Sequence, residues 1–206
     1  GGIDLVRDLV THGLRVSLGH TGATYDEARA AIDAGARHAT HLFNRMSLMS
    51  SRAPGVTGAV LESNAVAAEL ICDGVHVHPA LMSMAIRAKT ARRMMAITDG
   101  TAGAGLPAGS RTRIGDRPIV VTERCALLED GTLAGSILSM DGAFRMLVNE
   151  VKLSLADASR MCSTTPAEEL GLPEQGAIAP GKAADLVVLG RDLRVRQTYV
   201  AGERLF

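Results

Sequence analysis

Between residues 14 and 100, short apolar runs alternate with amphipathic stretches, and each run stops at a polar residue or glycine. "LRVSLGH" (14–20) gives way to "TYDEARAAIDAG" (24–35), where Thr24 and Glu27 have the T-x-x-E spacing of a helix capping box and Gly35 stands as its stop. "RHATHLFN" (37–44) is the second run and "VAAELICDGVH" (66–76) the third, after which Pro79 suits the first turn of the helix "PALMSMAIRAK". "RRMMAITDG" (92–100) is the fourth. Strands alternating with helices predict a parallel sheet with right-handed crossovers.

The four runs end at His20, His41, the Asp73–His76 region and Asp99. In parallel α/β sheets and barrels, that edge carries the active site. A closed (β/α)8 barrel needs roughly 250 residues, whereas this rhythm stops after four units, so the pattern predicts an α/β fold built as half a barrel. Residues 100–135 turn Gly-rich and then strand-like, with Asp130-Gly131 as a hairpin turn. "SMDGAFRMLVNEV" and "SLADASRMCST" have helical spacing, and "TPAEELG" reads as a short helix with Pro166 in its first turn. The stripe Met140, Met146 and Met161 reads as core filler. The last stretch offers two or three strands with turns at Gly181, Gly190 and Gly202. Two units are therefore expected, residues 1–174 for the partial barrel and 175–206 for strands of a small β domain.

Charge removes some partners from consideration. Lys+Arg and Asp+Glu both number 22 among 206 residues, so neither nucleic acid nor an anionic membrane is favoured electrostatically. No apolar run of about 18 residues suggests a membrane span, and the chain reads as cytoplasmic. It opens on "GGIDLVRD", helix-like and without an initiator methionine, which reads as part of something longer. Cys72, Cys125 and Cys162 are odd in number and widely spaced, an arrangement suited to reduced thiols. Cys72, near Asp73 and His76, is either a buried strand-end residue or a nucleophile.

Several of the strand-end residues suit metal-assisted chemistry. Divalent ions such as zinc take neutral imidazoles, and His20 and His41 on adjacent parallel strands would stand roughly 5 Å apart; the alternative is a pair of hydrogen-bonded structural histidines. Asp99 is either a general base or a turn cap. His76 can polarise a carbonyl or bind substrate, and Arg52, in a polar loop, can hold a phosphate or carboxylate. His78 reads as a loop residue; His12 and His38 read as surface or packing residues.

Together and in this order, "GHTGAT", "THLFNRMS", "RAPGVTGAVL", "ICDGVHVHP", "ITDG", "DGTLAGSILSMDGAFRMLV" and "GAIAPGKAADLVVL" resemble the C-terminal half of the N-acetylglucosamine-6-phosphate deacetylases. These are members of the amidohydrolase superfamily of metal-dependent barrels. The resemblance implies the C-terminal half of a metal-dependent (β/α)8 barrel with part of a small β-sandwich domain. It implies a divalent ion, zinc or else iron or another metal, on His20 and His41, with Asp99 as the catalytic acid/base. It also implies substrate contacts from Asn44, Arg45, Arg52, His76, Leu133, Ala134 and Gly135. Asn44 and the amide of Arg45 would hold the sugar phosphate, and Arg52 would reach across a homodimer. Arg45 stands where the family more often has a small residue, and the family's metal-binding glutamate falls on strands outside this stretch. The implied reaction releases glucosamine 6-phosphate and acetate; hydrolysis of a cyclic amide or another N-acyl amino sugar, or sugar-phosphate binding without catalysis, are the alternatives.

Overall fold

The structure, a computed structural model, describes all 206 residues. Helix α1 (Gly2–Thr11) leads into β1 (Ser17–Leu18), α2 (Tyr25–Asp33), β2 (His38–Ala39), α3 (Gly55–Glu62), β3 (Ala67–Ile71), α4 (Pro79–Lys89) and β4 (Met94–Ile97). The four strands form one parallel sheet in sequential order, β1-β2-β3-β4, as the alternation predicts. Local signals act where expected. The Thr24 hydroxyl accepts the Glu27 amide while the Glu27 carboxylate accepts the Thr24 amide, and Gly35 leaves α2 at φ +116°. Pro79 opens α4, but its N-cap is His78, whose Nδ1 accepts the Ala80 amide at 3.2 Å.

Period-two alternation on β3 divides its side chains. Ala68 and Leu70 join Ala39, Met94 and Ala96 in the main core, against Val56, Ala59 and Val60 of α3 and Met82, Ala85 and Ile86 of α4. Leu70, Met82 and Met94 are fully buried, and each such side chain contributes about 1.5–3 kcal/mol of hydrophobic stabilisation. Glu69 points to the opposite face, where it meets the His38 ring of β2 and the backbone amide of His41 just beyond that strand.

After β4 the chain forms a separate antiparallel sheet of β5 (Arg111–Ile114), β6 (Arg117–Val121) and β7 (Ala126–Leu128). The Asp130-Gly131 turn follows, with Gly131 at φ +81° and Leu128 N–H donating to Thr132 O. Helix α5 (Met140–Asn149) comes next, and then α6 (Leu155–Ser159) runs through a π-helical segment, Arg160–Thr164, directly into α7 (Thr165–Leu170). This fusion differs from the separate short helix expected at "TPAEELG". Pro166 has no N–H, and its ring would crowd the carbonyl four residues back; the wider π turn, closed by Thr165 N–H on Arg160 O, carries the helix past it. β8 (Leu186–Leu189), β9 (Val195–Val200) and β10 (Glu203–Arg204) form a second antiparallel sheet. No helix is long and apolar enough to cross a membrane.

Candidate metal and substrate site

β1 and β2 are short because the backbone turns sharply just beyond them. His20 lies at φ +45° and His41 at φ +31°, in the left-handed region that costs a non-glycine residue roughly 1–2 kcal/mol. Gly19 allows the close approach: a Cβ there would stand 2.9 Å from Cβ of Thr40 on the neighbouring strand. The His20 and His41 rings consequently meet with centroids 4.7 Å apart and planes tilted by 55°. His20 is exposed and His41 buried, and Nδ1 of His41 has no hydrogen-bond partner. A buried ring nitrogen left bare beside a second imidazole is the chemistry of a ligand pair, so these residues fit the imidazole part of a divalent-metal site. No set of three His, Cys, Asp or Glu side chains is placed to hold an ion.

Glu69 supports this pair from β3. Its Oε2 accepts the His41 backbone N–H at 3.2 Å, and its Oε1 stands 3.4 Å from Nε2 of His38. That second approach is electrostatic, without the alignment of a hydrogen bond, because Nε2 of buried His38 has no partner. Burial pushes the Glu69 carboxyl up, but the His38 ring and the His41 amide outweigh it and leave it below the usual value. A lone acid inside the apolar run "VAAELIC" was the available signal for Glu69, and sequence reasoning passed it over.

The "THLFNRMS" segment folds back on the residues after His20. Ser47 N–H donates to Thr21 O, and the Ser47 hydroxyl donates to Ala23 O. The result is a hollow of about 320 Å³ lined by His20, Thr21, Gly22, Arg45, Met46 and Ser47. The segment leading into it alternates in handedness, with φ positive at His41, Phe43 and Arg45 and negative between them, the pattern by which successive amides form an anion-binding nest. The amides of Phe43 and Arg45 donate to no group of the chain. Nδ2 of Asn44 donates to the carbonyls of His41 and Leu42 at 3.3 Å each, so this side chain holds the turn. Arg52 is exposed in the following loop.

Asp99 ends β4 at φ +46°, exposed, with β3 alone between its strand and β2. Leu133, Ala134 and Gly135 run beside it. Thr101 N–H donates to Ser136 O and Ala126 N–H to Gly135 O, and a Cβ at Gly135 would overlap Cγ2 of Thr101 at 2.3 Å. At the end of β3, Asp73 and His76 form a contact of 2.6 Å between Oδ2 and Nδ1. Burial pushes the Asp73 carboxyl up, yet the His76 ring and the amides of His76 and Val75 more than offset that and hold it low.

Cys72 is no nucleophile in this fold: burial drives its thiol far up, and Sγ donates to Leu70 O. Cys162 is pushed up to about 12 by burial. A larger hollow of about 650 Å³ lies between α7 and the segment after it, away from the strand ends. Its cations are already engaged, Arg160 with Glu168 and Lys182 with Pro173 O.

Comparison with known proteins gives these strand ends a context. The chain is 38% identical over 201 residues to an N-acetylglucosamine-6-phosphate deacetylase of Lysinibacillus sphaericus, covering 98% of this chain and 52% of that protein. It is 39% identical over 204 residues to an N-acetylgalactosamine-6-phosphate deacetylase of Shewanella sp. (strain ANA-3), covering 98% and 51%. The chain thus spans about half the length of these curated relatives. A solved mutant of the N-acetyl-D-glucosamine-6-phosphate deacetylase of Mycobacterium smegmatis, in complex with N-acetyl-D-glucosamine-6-phosphate, superposes with a TM-score of 0.93 at 40% identity, over 98% of this chain and 54% of that one. The model of the amidohydrolase family matches residues 7–205. Since that match leaves almost nothing of the sequence outside it, the chain belongs to the amidohydrolase family.

Proposed function

We propose that the protein carrying this chain hydrolyses the acetamide of N-acetylglucosamine 6-phosphate to glucosamine 6-phosphate and acetate. The observation that carries this reading is the shared edge of one parallel sheet. His20, His41 and Asp99 leave β1, β2 and β4 in left-handed conformations, with the two imidazoles in contact. His20 and His41 would hold a divalent ion, zinc or else iron, and a further ligand comes from elsewhere in the intact protein, since this chain offers no third. Such an ion, when bound, acidifies water and polarises an amide carbonyl.

The chain's own residues account for the rest. Asp99 takes a proton from the attacking water; the water oxygen bonds to the acetyl carbon, the C–N bond breaks, and Asp99 returns the proton to the departing amine. His76 holds the acetamide or the sugar. The free amide of Arg45 and the nest around it, a turn that the Asn44 side chain holds in shape, receive the 6-phosphate, while Leu133, Ala134 and Gly135 line the sugar beside Asp99. Arg52, exposed and without a partner in its own chain, reaches the phosphate of a second copy in a homodimer. Residues 1–174 supply strands five to eight of a cytoplasmic enzyme's barrel, and residues 175–206 supply part of its small β domain. The near-equal identity to the galactosamine-type relative favours one second reading, the C4 epimer as substrate.

Acetate release from the 6-phosphates of both N-acetyl sugars and from the unphosphorylated sugars tests this in the intact protein. Asp99→Asn is expected to lower turnover about 10²-fold or more with metal content unchanged. Undiminished turnover removes Asp99 from its role, and release from neither phosphate ends the reading.

A further inference from the structure

Asp73 and His76 form the most enclosed carboxylate–imidazole pair at the functional edge, with side chains 3% and 9% exposed. The hydrogen bonds of the carboxylate divide cleanly. Oδ1 accepts two backbone amides, Val75 at 2.8 Å and His76 at 2.9 Å, which close the turn after β3. Oδ2 faces Nδ1 of the His76 ring alone, at 2.6 Å. The turn is fixed from outside as well: Gly74 sits at φ +71°, where a Cβ would lie 2.8 Å from Cε of Met146 on α5. A carboxylate held below its usual range is ionised near neutral pH and only accepts hydrogen bonds, so the short contact requires the proton on Nδ1. The other ring nitrogen, Nε2, makes no bond within the chain and keeps contact with solvent.

We propose that Asp73 is the positioning residue that locks His76 in the tautomer with its proton on Nδ1, making Nε2 the one ring atom available to substrate. This rests on the assignment of His76 to the substrate site made above and deepens it. In the neutral ring, Nε2 then carries a lone pair and accepts a hydrogen bond from a hydroxyl or from the acetamide N–H of the substrate. The specificity of the contact is accordingly set by an aspartate that never touches the sugar. Nothing in the motif "CDGVH" separates this role from that of an ordinary turn aspartate, because the Oδ1 bonds alone would satisfy a turn; the buried Oδ2–Nδ1 contact supplies the difference.

Long-range ¹⁵N–¹H correlation of labelled histidines in the intact protein reads the tautomer directly. His76 is expected to carry its proton on Nδ1 in the unsubstituted protein. In Asp73→Asn, Oδ1 still accepts the two amides while the amide nitrogen donates to Nδ1, so the proton is expected on Nε2. Turnover of the amino-sugar 6-phosphate is expected to fall on the order of 10²-fold, and to fall no further when Asp73→Asn is added to His76→Ala. An unsubstituted protein with the proton on Nε2, or losses that multiply in the double variant, overturns the proposal. The resonance measurement needs neither a variant nor activity, so it judges Asp73 even where acetate release refutes the deacetylase reading.

Discussion

The two ends of the parallel sheet are built by opposite rules. At the ends of β1, β2 and β4, the chain places His20, His41 and Asp99 in left-handed backbone and leaves a buried imidazole nitrogen bare. At the starts of the strands most buried polar groups are answered, Nε2 of His38 at the start of β2 excepted. Buried Glu169 of α7 binds Arg15, just before β1, at 2.6 Å and Arg93, just before β4, at 3.0 Å. The Thr165 hydroxyl donates to Ala91 O at 2.7 Å, and buried Lys89 donates to the carbonyls of Val60 and Ser63 that end α3. One edge retains strain and unsatisfied donors where ligands would restore the balance; the other spends its charges on holding elements together. The same division between a chemical and a stabilising face is general among parallel α/β folds.

Substitutions at the two edges should therefore separate binding from stability. His41→Asn is expected to weaken zinc binding by the intact protein about 10²-fold or more while leaving its metal-free melting temperature within about 2 °C, because asparagine tolerates left-handed backbone. Titration calorimetry and thermal melts measure both, and a large loss of metal-free stability would erase the contrast. Glu169→Ala should do the reverse. With two arginines left facing an empty site, about 2–3 kcal/mol of stability is lost, a fall of roughly 2–4 °C in the intact protein, with zinc affinity retained. The smallest effect concerns Lys89, which burial lowers from 10.5 to about 8. Between those values the unfolded chain holds a proton that the folded chain has released, so folded stability gains as pH rises. Relative to Lys89→Met, the protein should gain on the order of 1–2 kcal/mol from pH 8 to pH 10.5, read from paired denaturant titrations; a constant gap would mean that Lys89 keeps its ordinary affinity for protons.

Local signals were legible wherever one residue type answers a backbone need. Thr24 and Glu27 cap, Gly35 stops and Pro79 starts a helix irrespective of what lies around them, and the period of apolar residues was enough to order four strands. His20 and His41 were legible for a related reason, because adjacent parallel strands bring equivalent positions together. Features that depend on which way a side chain turns were not, even where the partner is only a few residues away. Asp73 looks like any turn aspartate until its second oxygen is seen against a ring, and the bonds by which the Asn44 amide ties down its own loop leave no mark in the sequence. The π segment before Pro166 answers a clash that periodicity does not register. Similarly, the β5-β6-β7 sheet is recognisable as strands, but its separation from the parallel sheet is settled by register, which short alternating runs leave open.

Glu169 has a mechanical corollary. β1 and β4 are the outermost strands of the sheet, roughly 14 Å apart across three strand spacings, yet the arginines preceding them grip one carboxylate. That shared grip works as a drawstring beneath the sheet, resisting any splaying of its margins. A change at Glu169 would therefore release the starts of two strands at once, one that carries an imidazole at its far end and one that carries the acid.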